Sequence, residues 1–173
     1  MIYTKKGDRG KTSIIGNKRI SKSDDLFWAI GDLDELNSLL GVIISKTNKK
    51  KLIIPLRKIQ SNIFVIGSIL AGYKTNFPSK MVKEMEAEID KFESKLPVQT
   101  NFIFPGGIFE ASMLFFARSV ARRAERRVVV LKTRLGTNLD DILIYLNRLS
   151  DYLFILARWL NFKAGKKEDF WKI

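Results

Sequence analysis

The sequence contains no cysteine and no histidine. The first absence excludes disulfides, thiol nucleophiles and cysteine-based zinc sites, and the second excludes imidazole acid–base chemistry and the commonest metal ligand. Any reaction must use carboxylates, amines, guanidinium groups, amides, or a reactive group brought in by a substrate or cofactor. Acidic residues are few, 18 against 31 basic ones, for a net charge of +13. That imbalance predicts attraction to polyanions, among them nucleic acid, nucleotides and acidic surfaces, and does not choose between them. Lysine-rich charge without cysteine also fits adaptation to heat. Charges interrupt the apolar runs, so neither a membrane span nor an N-terminal signal peptide is expected, and the chain reads as soluble and cytoplasmic. Internal repeats and low-complexity tracts are missing, as are convincing alternating strand patterns beyond the first fifteen residues.

What is present is helical periodicity. With 173 residues, 46% of them hydrophobic and 28% charged, the chain has the composition of a single globular domain with a proper core. Residues 1–25 hold few large apolar side chains and read as an extended arm, with short extended pieces at Ile2–Thr4 and Ser13–Ile15. Residues 26–173 read as a helical bundle. Leu33, Leu36, Leu40 and Ile43 form a first apolar stripe, with Ser23 and Asp24 as candidate N-caps. Leu56, Ile59, Ile63, Ile66 and Leu70 form a second; Met81, Met85, Ile89 and Phe92 form a weaker third on a charged helix ending near Pro97. The run Asn48–Lys51 reads as a solvated loop, and Val98–Ile108 as irregular chain broken by Pro105-Gly106-Gly107. A last stripe, Ile142, Leu146, Leu149, Leu153, Leu156 and Leu160, follows a loop at Gly136–Asn138. The predicted fold is all-α, a ferritin-like, antiparallel five-helix bundle with an extended N-terminal arm.

The fourth helix is the most informative. Leu114, Ala117, Ala121, Ala124, Val128 and Leu131 form its stripe, and five arginines crowd between Ala117 and Val130. Arg118, Arg122 and Glu125 each follow a stripe residue by one position, which sets them together on a border of the buried seam. A guanidinium pair one turn apart suits polyphosphate oxygens. Arg123, Arg126 and Arg127 fall further round, toward solvent or a second subunit. Asp34 and Asn37 on the first helix and Asn147 on the last show the same offset, as a polar pocket between bundle helices requires. A solvated basic face, with Glu125 as an intrahelical partner, accounts for the same pattern. In the arm, Thr4 to Ser13 supplies glycines, lysines and hydroxyls suited to a phosphate, but a P-loop would need glycine where Lys5 stands. Taken alone, the arm fits a basic tail.

Six blocks in order along nearly the whole chain resemble one family. They are Tyr3-Thr4 through Gly10 with Thr12-Ser13; Gly31 through Ser38; Ile59-Gln60 with Leu70-Ala71; Asn101 through Gly107; Ala117-Arg118 through Arg126; and Tyr145 through Phe154. The chain resembles the ATP:corrinoid adenosyltransferases of the PduO type, which include the human mitochondrial enzyme of adenosylcobalamin synthesis. The resemblance implies transfer of the 5′-deoxyadenosyl group of ATP to the Co(I) centre of a reduced corrinoid, the reaction of a cob(I)yrinic acid a,c-diamide adenosyltransferase. It implies a homotrimer with active sites at subunit interfaces, magnesium held mainly through the ATP phosphates without a direct protein metal site, and a corrinoid reductase as a further partner.

By motif position, the resemblance makes Thr4, Gly7, Asp8, Lys11, Thr12, Ser13 and Lys22 the nucleotide-binding arm, completed by Arg122, Glu125 and Asn147. Asp34 and Arg118 match a pair that forms a salt bridge across the interface beside the corrinoid. Phe102 matches the aromatic residue that helps displace the lower axial ligand of cobalamin, whereas Phe104 and Phe109 are expected to be core aromatics. The chain departs from the family at Phe115, where histidine is frequent, at Ile30, where tyrosine is, and at Lys6, where threonine is usual. Two other readings stand beside this one: a basic helical nucleic-acid-binding module, and a non-catalytic corrinoid carrier or regulator of the same fold.

Overall fold

The computed structural model describes Tyr3, Lys5 and residues 7–16 and 19–171. The expectations for Thr4 and Lys6, and for an extended piece at Ile2–Thr4, fall wholly or partly outside the described residues. The rest of the arm is a small antiparallel hairpin, β1 (Lys11–Ser13) paired with β2 (Arg19–Ser21), with Thr12 opposite Ile20. The expected extended piece at Ser13–Ile15 thus lies two residues too late. The hairpin is no loose tail: Ile14 and Ile20 pack against the core, and the Lys22 amide donates to the Gly10 carbonyl at 2.8 Å.

Asp24 starts α1 (Asp25–Ser45), its carboxylate accepting from the Leu26 amide at 2.9 Å, a cap of about 1 kcal/mol. Ser23 hydrogen-bonds Ser21 instead. Helix α2 (Lys50–Leu70) begins inside the lysine run, so Lys50 and Lys51 form its first turn where a loop was expected. Helix α3 (Lys80–Glu93) stops short of Pro97. Helix α4 (Phe109–Leu135) ends at Gly136, whose φ of 62° is a left-handed cap that glycine adopts without strain. Helix α5 (Asp140–Lys163) completes the bundle.

Successive helices alternate in direction. Arg134 near the end of α4 meets Asp24 and Asp25, while Arg123 meets Glu35 further along α1, so these two run antiparallel. Helix α4 packs between α1 and α5, α2 against α1, and α3 against α5. Ala117, Ala121 and Ala124 are fully buried, which lets the backbone of α4 approach both neighbours closely. The predicted stripes of α1, α2 and α4 are buried throughout, as is that of α5 except at Leu160. Each buried leucine or isoleucine stabilises by about 1.5–3 kcal/mol. On α3 only Met85 of the predicted stripe is buried, joined by Val82. Helix α2 is, against expectation, long and apolar enough to cross a membrane, with a mean hydropathy of 1.3; its stripe is instead covered by the bundle.

One buried polar pair links α2 to α5. Asn62 of α2 donates to the Tyr145 hydroxyl at 3.0 Å, and Phe77 packs on the same ring. Burial pushes the Tyr145 phenol far above its ordinary range; burial and the neighbouring Glu88 do the same to Tyr152.

Candidate functional site

Helices α4 and α5 carry four of the predicted residues, Arg118, Arg122, Glu125 and Asn147, toward mid-length. Asn147 donates through Nδ2 to Glu125 Oε1 at 3.1 Å, closing the α4–α5 groove. The other face of the Asn147 amide accepts from Arg148 Nη1 at 2.9 Å, and Arg148 Nε donates to Glu86 of α3 at 2.7 Å. Glu86, Arg148, Asn147 and Glu125 thus form a chain across three helices that fixes which way the amide points. Sequence reasoning singled out Asn147 and missed Arg148; the available signal was its place beside Asn147 in the same block.

One turn from Glu125 stands Arg122, exposed, and one further turn along is Arg118. Arg118 stacks on the Phe154 ring at 5.3 Å, and its Nε is buried without a hydrogen-bond partner among the described residues. Burial, then the nearby Arg122 charge, lowers the Arg118 guanidinium below the ordinary arginine range, and Asp151 acts in the opposite sense. Two like charges one helical turn apart, neither in an ion pair among the described residues, form a subsite complementary to an anion. Phe115, at the position where the resemblance leads one to expect histidine, is buried and edge-on to Phe154 at 5.8 Å, so it supports the ring under Arg118.

Of the other arginines, Arg123 and Arg127 are engaged within the chain by α1. Arg123 bridges Asp32, at 3.2 Å, and Glu35. Arg127 lies 3.9 Å from Asp32 and stacks on Trp28. Both fasten α4 to α1 because each precedes a stripe residue by one position and so sits on the opposite border of the seam. Arg126 is exposed.

Asp34 and Asn37 do not join the groove within one chain. Asn37 is buried on the side of α1 facing α2, where Gln60 donates to its main-chain carbonyl at 2.9 Å, and its side-chain Oδ1 has no hydrogen-bond partner among the described residues. Asp34 is exposed, with no ion pair among the described residues. In the arm, the Lys22 ammonium lies against Gly7, where an added Cβ would come within 3.2 Å of Nζ. Lys11, Ser13 and Asp8 are exposed and Thr12 half-buried. The arm sits at the α1 start and α4 end of the bundle, joined there through Asp24 and Arg134.

Phe102 lies at the other end. It is 75% exposed, which excludes a core role. Phe104 and Phe109 are also about half exposed, against expectation. For Phe102 and Phe104 the reason is a long-range pairing: residues 102–104 are extended and paired with the C-terminal segment, the Trp171 amide donating to the Phe102 carbonyl and the Phe104 amide to the Asp169 carbonyl, both at 2.8 Å. In extended chain, residues two apart share a face, and here that face is open. The Phe102 ring lies 6.3 Å from that of Trp171. Among the described residues, no group of three or more acidic side chains is placed to hold a metal ion.

A family model for cobalamin adenosyltransferases matches residues 2–160. The chain belongs to the cobalamin adenosyltransferase family. Human corrinoid adenosyltransferase MMAB is 41% identical over 96% of this chain and 71% of its own length. The corrinoid adenosyltransferase of Bacillus subtilis is 37% identical over 95% of this chain and 88% of its own. Among solved structures, a phenylalanine-to-alanine variant of the PduO-type ATP:corrinoid adenosyltransferase from Lactobacillus reuteri, complexed with cobalamin and ATP, superimposes with a TM-score of 0.93 at 37% identity, covering all of both chains. An arginine-to-lysine variant of that enzyme complexed with ATP gives 0.91 at 38%. The helical bundle of this chain is therefore the family's fold, and its α4–α5 groove lies within the span that the family model matches.

Proposed function

We propose that the protein transfers the 5′-deoxyadenosyl group of ATP to the Co(I) centre of a reduced corrinoid. The corrinoid's cobalt attacks C5′, the C5′–O bond breaks, and triphosphate leaves with the bonding electrons. The observation that carries this reading is the α4–α5 groove, where Arg118 and Arg122 stand beside the Glu125–Asn147 pair with no side-chain nucleophile required. The nucleophile belongs to the substrate. The protein's task is to place C5′ over cobalt and to neutralise a highly anionic leaving group.

In this reading Arg122 holds phosphate oxygens, the Glu125–Asn147 pair orients the nucleoside, and Gly7, Asp8, Lys11, Thr12, Ser13 and Lys22 of the arm, with Thr4 before them, wrap the triphosphate. Magnesium is held through the phosphates. Phe102 excludes the lower axial ligand of the corrinoid. Two substitutions in the solved Lactobacillus reuteri structures, at a phenylalanine and an arginine, lie twenty positions apart in that chain, the same separation as Phe102 and Arg122, which supports pairing these two in one site. Helix α4, at about 1.5 Å per residue, is roughly 40 Å long, and the arm and Phe102 lie at its opposite ends. That separation supports a site completed by a second copy, with exposed Asp34 meeting Arg118 of a neighbour in a homotrimer. Cob(I)yrinic acid a,c-diamide or cobalamin as substrate, a reductase supplying Co(I), and a cytoplasmic setting belong to the same reading. The nucleic-acid alternative is weakened because Arg123, Arg127 and Arg134 are engaged by carboxylates of α1 and its cap.

The test is anoxic incubation with ATP, magnesium and chemically reduced cobalamin, following the spectrum of the adenosylated product and triphosphate release. Arg122→Ala is expected to lower the rate by about 10²–10³-fold, as for removal of one charge-stabilising donor; near-normal turnover removes its role. Phe102→Ala is expected to keep ATP binding and slow adenosylation, and unchanged turnover at saturating corrinoid overturns that assignment. Tight, steeply salt-dependent binding of random duplex DNA without any corrinoid product would favour the nucleic-acid reading. Adenosylcobalamin binding without its synthesis would favour the carrier.

A further inference from the structure

Exposed Phe102 rides on a segment with little packing of its own, yet its backbone is held from two sides by buried polar residues of α5. Arg158 is 4% exposed. Its Nε donates to Glu168 Oε1 at 2.5 Å, and its Nη2 donates both to Glu168 Oε2 at 3.2 Å and to the Pro97 carbonyl at 2.9 Å. Asn161, one turn later and also buried, accepts from the Ile108 amide at 3.0 Å and donates to the Gly106 carbonyl at 2.8 Å. The ion pair therefore ties down the C-terminal segment, whose Asp169 and Trp171 hydrogen-bond the backbone at Phe104 and Phe102, while Asn161 ties down the chain just beyond.

A buried guanidinium–carboxylate pair is a poor way to gain stability, since desolvation offsets most of its attraction, but its bidentate geometry fixes position. The bundle core does not need Glu168, which lies beyond α5. What the pair holds is the strand beside Phe102.

We propose that Arg158 and Glu168 are positioning residues for the corrinoid half of the reaction: the ion pair sets the C-terminal segment, and that segment sets the backbone of Phe102. This rests on the corrinoid role proposed above for Phe102. Without the pair, Phe102 remains present but its backbone is no longer fixed, so the corrinoid step suffers while the nucleotide groove, in the middle of α4 and α5, is untouched.

The test compares the full chain with Glu168→Ala, Glu168→Gln and Phe102→Ala, using ATP, magnesium and chemically reduced cobalamin. Amide hydrogen exchange at Phe104 and Trp171 reports the segment directly. Glu168→Ala is expected to accelerate exchange at both amides tenfold or more with the protection of α1 and α4 retained, and to lower kcat at least tenfold with KM for ATP within twofold of the unaltered chain. Glu168→Gln, which keeps one hydrogen bond, should recover part of both. Phe102→Ala should slow turnover without accelerating exchange at Trp171. Turnover by Glu168→Ala equal to that of the unaltered chain, while Phe102→Ala is slow, overturns the positioning role and leaves Phe102's role standing. Unchanged exchange at Phe104 and Trp171 also overturns it. Normal turnover by Phe102→Ala overturns the underlying reading and the positioning role with it.

Discussion

Gly107 offers a test in which the structure predicts non-additivity. Its φ is 110°, in the region that favours glycine, and a Cβ built there would lie 2.1 Å from Asn161 Oδ1 and 2.4 Å from both Cγ and Nδ2. An alanine can be accommodated only by driving the Asn161 amide out of its place. Gly107→Ala therefore loses both hydrogen bonds of Asn161, together about 2 kcal/mol, and adds about 1–2 kcal/mol of backbone strain, for a total near 3–4 kcal/mol. Asn161→Ala alone loses the same two bonds, about 2 kcal/mol. In the double variant the clash is gone and only the strain is added, so its cost stays near 3–4 kcal/mol instead of the roughly 5–6 kcal/mol of simple addition. Urea unfolding of the four proteins, followed by circular dichroism, measures the cycle. A coupling energy close to zero would refute the claim that Asn161 is what Gly107 makes room for.

Two further outcomes follow from buried charge and buried phenol. Arg123→Met leaves the nearly buried Asp32 carboxylate with only the more distant Arg127, and is expected to cost about 2 kcal/mol, whereas Arg126→Ala, on the exposed face, should stay within about 0.5 kcal/mol; equal losses in urea unfolding would contradict the division of roles on α4. Of the four tyrosines, Tyr3 and Tyr73 are exposed, while Tyr145 and Tyr152 are held above the ordinary value of 10. Because the folded value is raised, the stabilisation is fully present below about pH 10 and is lost as pH rises beyond it, by up to about 1.4 kcal/mol per pH unit for each phenol. Tyrosinate absorbance should therefore show Tyr145 and Tyr152 ionising only with unfolding. Ionisation of either phenol while circular dichroism still reports the folded protein would contradict the burial.

The five helices and the central stripes of α1, α2, α4 and α5 were legible in the sequence because burial along them follows the 3.6-residue repeat; core residues flanking those stripes, such as Leu39, Phe115, Tyr145 and Tyr152, were not. The hairpin was not, since strands of three residues carry too little alternation to register, and their pairing depends on a core that the arm does not itself contain. The exposure of Phe102 and Phe104 was hidden for a related reason: it arises from pairing with Asp169 and Trp171, more than sixty residues away, and no local pattern announces it.

The arginines of α4 show where periodicity alone stops. A helix packed against one neighbour has one buried seam and a single meaningful offset from it; α4 is packed against two, so its seam has two borders with different partners. Residues one step after the stripe, Arg118, Arg122 and Glu125, face α5 or the open groove, and Glu125 finds Asn147 there. Residues one step before it, Arg123 and Arg127, face α1 and find Asp32, which likewise precedes its own stripe residue Leu33. Assigning a role only to the border one step after the stripe leaves the opposite border without a partner and sends Arg123 and Arg127 to the surface. The sign of the offset separates the arginines that hold the bundle together from those left free to meet an anion, and the meaning of the preceding border becomes readable only once α4 is known to lie between α1 and α5.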